Sequence, residues 1–160
     1  MISKEDAGYL VDERRRRQRL SWRDLARRLG RPPVWTAAAA LGAHPVPEQE
    51  AEELRDALAL DDDVVDALVR QPTRVPSHDV SQDPTIYRFH ELVQVYGPAL
   101  KSLIHDEFGD GIMSAINCSI TLDRVAHPDG DRVVVTIDGK FLPYAWTSSA
   151  PERQQEAVAE

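Results

Sequence analysis

The apolar residues of this chain change their period once, and that change limits what its second half can build. Behind an N-cap, Asp83, and a proline at the first helical position, Pro84, the residues Ile86, Phe89, Val93 and Tyr96 recur at helical spacing. Gly97-Pro98 interrupts them, so the pattern predicts one helix ending there and a second, opened by Pro98, running through about Phe108. Gly109-Asp110-Gly111 predicts a turn. Beyond it the period falls to two. Ile116, Cys118, Ile120 and Leu122 alternate with Asn117, Ser119, Thr121 and Asp123, which predicts a half-buried strand over 115–123. Pro128-Asp129-Gly130 marks a turn, and Val133, Val135 and Ile137 alternate with Val134, Thr136 and Asp138 as a second strand over 132–138. Asp138-Gly139 predicts one more turn, into Lys140-Phe141-Leu142-Pro143.

Two short helices and two strands do not close a stable core, and both strands keep open edges. Pairing with a second copy of the chain is the natural remedy. The first helix points the same way. Arg88 and Glu91, three residues apart, are helical neighbours on the side away from the apolar stripe. Val95 shares their side and Leu92 borders it, so the helix expects partners on both sides. By spacing alone the Arg88–Glu91 pair fits an exposed ion pair of little energetic weight as well as a functional pair.

Before residue 71 no strand signal appears. Ala7, Leu10 and Val11 begin an amphipathic helix that ends near Leu20. Ser21 caps the next, with Asp24 standing in for the glutamate of a capping box. Trp22, Leu25, Ala26 and Leu29 form its apolar face and Gly30 its stop. Pro32 and Pro33 open a third helix that stops at Gly42, Pro47 opens a fourth, and Asp61, Asp62 and Asp63 head a fifth. The string resembles a helix-turn-helix domain of the phage-repressor kind. Nine arginines between Arg14 and Arg31 fit a phosphate-binding patch. However, the helix placed to read bases, PPVWTAAAAL, has no Arg, Lys, Asn or Gln for bidentate base contacts. The acids that follow, from Glu48 to Asp66, offer those arginines partners within the chain.

Three segments in order, YRFHELVQVYG, HDEFGDGIMSAIN and TIDGKFLP, resemble the signature segments of the cyanate hydratase (cyanase, cyanate lyase) family. The likeness is close over residues 83 to 143, and the helical N-terminal half has the length and character of that family's first domain. The resemblance implies that Arg88, Glu91 and Ser114 carry the chemistry. It also implies that Arg88, Ser114 and Leu142 bind substrate. It implies bicarbonate-dependent decomposition of cyanate to ammonia and carbon dioxide by way of carbamate, with bicarbonate as co-substrate and no metal or organic cofactor. For assembly it implies intertwined dimers whose strands pair across subunits, joined five at a time into a homodecamer with sites between dimers.

The expected fold class is therefore α+β, a helical N-terminal domain over 1–76 followed by a catalytic and oligomerisation domain over 77–160. QPTRVPSHDVSQ, residues 71–82, is expected to link them, and 147–160 to be a loose tail. A net charge of −8, most of it in the C-terminal half, argues against a general nucleic-acid or anionic-membrane binder. No apolar run is long enough to span a membrane and no signal-peptide pattern opens the chain, so a cytoplasmic location is expected. The lone Cys118 fits a small core residue. His44, His78, His90, His105 and His127 show no metal-ligand spacing, and His90 stands apart only by flanking Arg88 and Glu91. The alternative from another class is a DNA-binding regulator with a C-terminal dimerisation or ligand-sensing domain.

Overall fold

The computed structural model describes residues 2–72 and 82–145. The expected linker falls largely outside them and the expected tail wholly so. Five helices come first: α1 (Lys4–Arg17), α2 (Trp22–Leu29), α3 (Pro33–Ala40), α4 (Glu48–Leu58) and α5 (Asp62–Val69). A long helix, α6 (Pro84–Phe108), then leads into an antiparallel pair, β1 (Gly111–Val125) and β2 (Arg132–Pro143).

Side-chain caps mark the starts of α1, at Ser3, and α2, at Ser21, and Pro33 occupies the first position of α3. Ser21 Oγ accepts from Asp24 N–H while Asp24 Oδ2 accepts from Ser21 N–H at 2.7 Å, a complete capping box. Gly30 ends α2 in the left-handed conformation at φ 63°, which glycine enters without steric cost. These helices bury Val11, Leu25, Val46, Leu54, Leu58 and Leu68 against one another in one closed core. Lys4 ties the first helix to the last: its Nζ donates to the carbonyls of Ala67, Leu68 and Arg70, at 3.1, 2.6 and 2.7 Å, caring for the end of α5. Burial, and then the nearby charge of Arg70, hold the Lys4 amine below its usual value.

The second half corrects two expectations. Pro98 does not start a new helix but lies inside α6, which runs unbroken for 25 residues. A proline crowds the Cβ of the residue before it, and here that residue is Gly97, which has none. Asp83 caps this helix as expected, accepting from the N–H groups of Thr85 and Ile86 at 2.8 and 3.0 Å. Asp138-Gly139 is not a turn either. β2 continues through it to Pro143, and Gly139 pairs with Cys118.

Gly139 serves close approach instead. A Cβ there would stand 2.8 Å from the Ser114 carbonyl oxygen and 2.5 Å from the Met113 side chain. The ladder runs Met113 opposite Phe141 and resumes at Cys118 opposite Gly139, so residues 114–117 bulge out across from Lys140 alone.

No residue of α6 is buried, and its apolar positions Phe89, Leu92, Val93, Val95, Leu100 and Leu103 are half-exposed or more. On the hairpin Ile116 is 98% exposed and Val133 72%. Cys118, expected on an inward face, is only partly covered, and its thiol donates to the Ala115 carbonyl within the bulge.

Candidate active site

Arg88 and Glu91 meet as their spacing requires. Arg88 Nη1 donates to Glu91 Oε2 at 2.6 Å. Both side chains stand well out from this chain, 67% and 48% exposed, so the pair adds little to the stability of the single subunit. The guanidinium carbon also lies 5.3 Å from the centre of the Tyr87 ring. His90 Nε2 faces Gln94 Nε2 at 3.1 Å, and the rings of His90 and Tyr87 are 6.2 Å apart.

Ser114 is built differently. It is 6% exposed, the most thoroughly covered polar side chain among the described residues of the second half. Its Oγ accepts from Asn117 N–H at 2.8 Å and from Ile116 N–H at 3.2 Å. These local bonds offer the backbone an alternative to the ladder, which accounts for the bulge. They occupy the oxygen's acceptor sites and leave its O–H free to donate to a ligand. Met113, next to it, shares a cleft of about 470 Å³ with Leu100, Lys101, Ile104, His105 and Ile112. Leu142 lies on the neighbouring strand, opposite Ile112 and partly exposed.

The structure thus places Ser114 and Leu142 on adjacent strands, and Arg88 with Glu91 near the opposite end of α6. From Arg88 to Phe108 the helix rises roughly 30 Å at 1.5 Å per residue. No hydrogen bond or ion pair joins Ser114 to Arg88 or Glu91 within one chain. Two contributors were not legible from spacing. Gly139 lets the bulge close, but its Asp-Gly context reads as a turn. Tyr87 lies under the guanidinium, where the only sequence signal was its adjacency to Arg88.

The arginines of the first half are largely engaged. Arg15 and Arg16 pair with Asp12, Arg17 with Glu13, Arg27 with Asp24 and Arg31 with Glu50. Asp12 and Glu13 lie just upstream of the cluster. Burial pushes the Asp12 carboxyl up, but its bonds to Arg15 and Arg16 outweigh this and hold it below the usual carboxylate range. Arg23 reaches across to the Leu122 carbonyl and Asp123 on β1. On α3 the Thr36 hydroxyl is buried and donates to the Pro32 carbonyl at 3.1 Å, so it is not available to read a base. Among the described residues no three His, Cys, Asp or Glu side chains gather as a metal site, and no helix is long and apolar enough to cross a membrane.

Fold and site together define a two-part α+β protein: a self-contained helical unit, and a helix-and-hairpin unit that displays a charged pair and a covered serine on an uncovered apolar surface. The family described as cyanate hydratase, N-terminal, matches residues 8–72, and that described as cyanate lyase C-terminal domain matches 78–146. The chain is 54% identical to the cyanate hydratase of Mycolicibacterium vanbaalenii, over 95% of this chain and 100% of that protein. It is 55% identical to that of Mycobacterium avium, over 81% and 84%. The crystal structure of cyanase from T. urticae superposes with a TM-score of 0.78 at 36% identity, covering 86% of this chain and 96% of that one. This chain belongs to the cyanate hydratase family.

Proposed function

We propose that the protein is a lyase that decomposes cyanate with bicarbonate, releasing ammonia and carbon dioxide by way of carbamate. The observation that carries this reading is the likeness, over 95% of this chain and the whole of the other, to a protein named cyanate hydratase.

Both reactants are anions, and their repulsion grows as water is excluded. Arg88 offsets it. Its planar guanidinium donates several hydrogen bonds in one plane and matches the carboxylate edge of bicarbonate. A bicarbonate oxygen attacks the cyanate carbon and the nitrogen takes up a proton. With bicarbonate's proton on nitrogen, loss of carbon dioxide from the adduct and uptake of one proton from water leave carbamate. Carbamate takes a second proton from water on nitrogen as its C–N bond breaks to give ammonia and a second carbon dioxide. Charge moves onto nitrogen and oxygen in the first step. The free O–H of Ser114, with neighbouring backbone N–H groups, stabilises it there. Ser114 acts as a donor rather than a nucleophile, since among the described residues no His or Lys base bonds to it. Glu91 holds Arg88 in place, and Leu142 contributes an apolar wall. Holding two small reactants in contact supplies much of the rate. The residues act without a metal or organic cofactor in this reading.

The site is completed between chains. Arg88 and Ser114 do not meet in one subunit, while the apolar face of α6 and the cleft beside Met113 stand uncovered. Exposed apolar surface of this extent is a liability unless another chain covers it. An intertwined dimer, repeated five times as a decamer in the cytoplasm, provides that cover and brings the two halves of the site together.

Purified protein supplied with cyanate is expected to release ammonia only when bicarbonate is present, and a chelator is expected not to stop it. Release without bicarbonate, or its loss with EDTA, overturns the mechanism. The DNA-reading alternative finds no support: its arginines are largely paired within the chain and its reading helix spends its hydroxyl inside.

A further inference from the structure

Along one flank of α6, five side chains touch in series. Gln94 Nε2 and His90 Nε2 lie 3.1 Å apart, within hydrogen-bond distance across one helical turn. The His90 ring lies 6.2 Å from the Tyr87 ring, tilted by 44°. The Tyr87 ring lies under the Arg88 guanidinium at 5.3 Å, and Arg88 bonds Glu91 at 2.6 Å. Tyr87 is four residues before Glu91 and seven before Gln94, so it shares their side of the helix and not the apolar stripe of Ile86, Phe89 and Val93.

The guanidinium is therefore held twice. Glu91 anchors one of its nitrogens, which still lets the plane swing about that bond. The aromatic face fixes the plane, because a cation is drawn to the negative face of the ring. An arginine that must offer a flat fork to an incoming anion loses less freedom on binding when its plane is preset.

We infer that Tyr87 is a positioning residue for Arg88, with His90 and Gln94 bracing its ring. This rests on the assignment of Arg88 to the anionic substrate. His90 then has a place beside the site without touching a reactant.

The test uses full-length assembled protein, with ammonia release followed at varied bicarbonate. A calorimetric titration with azide, a linear triatomic anion of the same charge as cyanate, runs in parallel. Tyr87→Leu is expected to raise the KM for bicarbonate and weaken azide binding roughly two- to fivefold, with kcat moving less and the particle size unchanged by light scattering. Tyr87→Phe is expected to restore both values, since the ring face and not the hydroxyl holds the cation. His90→Leu shifts both in the same direction by less. Unchanged KM and azide binding in Tyr87→Leu overturns the inference, as does a Tyr87→Phe variant equally impaired. If the wild type binds azide but releases no ammonia, the proposed reaction fails and the azide titrations still decide the role of Tyr87. A wild type that neither turns over nor binds azide overturns both.

Discussion

The two halves of this chain solve the burial problem in opposite ways. In the first, short helices cover one another, and every fully buried aliphatic side chain among the described residues belongs to that half. In the second, one long helix and a hairpin share a chain but barely cover each other, and α6 buries nothing. Average composition does not separate them, since both halves are rich in aliphatic residues. The difference is geometric. Helices of eight to fourteen residues joined by tight turns can surround a common centre. A 25-residue rod beside a two-stranded ribbon has no centre to surround. The first half thus closes its own core, and the second leaves its apolar faces uncovered within one chain.

The contrast predicts that splitting an oligomer built through the second half abolishes turnover while leaving the first half folded. Dilution or mild denaturant is expected to remove activity completely, with far-UV circular dichroism still reporting helix. Light scattering and the ammonia assay on the same samples check this. A monomer with full specific activity would erase the distinction between the halves.

Truncating one leucine in each half sharpens it. Leu54→Ala opens a cavity in the closed core and should cost about 2–5 kcal/mol, read as a lower thermal transition of the helical half. Leu103→Ala removes the same atoms from an uncovered face. It should leave that transition alone and weaken assembly instead, seen as dissociation at higher protein concentration.

Chemistry should follow the second half alone. Ser114→Ala is expected to add about 2–4 kcal/mol to the barrier if the hydroxyl stabilises developing charge. Arg88→Lys keeps the charge but loses the planar fork, and should also lower turnover strongly without altering the fold. Near-normal activity in either assembled variant removes that residue from the site.

The smallest effect belongs to the caps of the first half. Ser21→Ala should cost about 1 kcal/mol of that unit's stability. Bonds from the Ser21 hydroxyl and N–H, chiefly, hold the Asp24 carboxyl below its usual range. Asp12 is also held low. A depressed carboxylate contributes stability that is fully present above its unfolded value of about 3.9 and is lost as pH falls through the lower folded value. Denaturation midpoints measured from pH 6 downward should therefore stay level and then drop below about pH 4, and Asp24→Asn should flatten part of that drop.

Much of the first half was legible because its signals are local. A serine three residues before an aspartate, a glycine after a leucine and a proline at a first turn each act within one helical turn. The second half is less legible at two places. Pro98 has the local signature of a helix breaker, but Gly97 before it has no Cβ for the proline ring to crowd. Gly139 has the local signature of a turn, but its lack of a side chain serves a backbone on the other strand.

The chain's own sequence determined where the helices of the first half begin and end, which residues form its closed core, and that Arg88 and Glu91 meet. Each of these depends on neighbours within a few positions or on a simple period. Only the tertiary structure decided the shape around Ser114. Its bulge needs two backbone N–H groups on its own strand and a glycine 25 residues further on the next, and no periodicity records a contact at that distance. The same holds for the separation of Ser114 from Arg88. That separation follows from the unbroken 25-residue run of α6, which holds Arg88 and Ser114 apart within one chain.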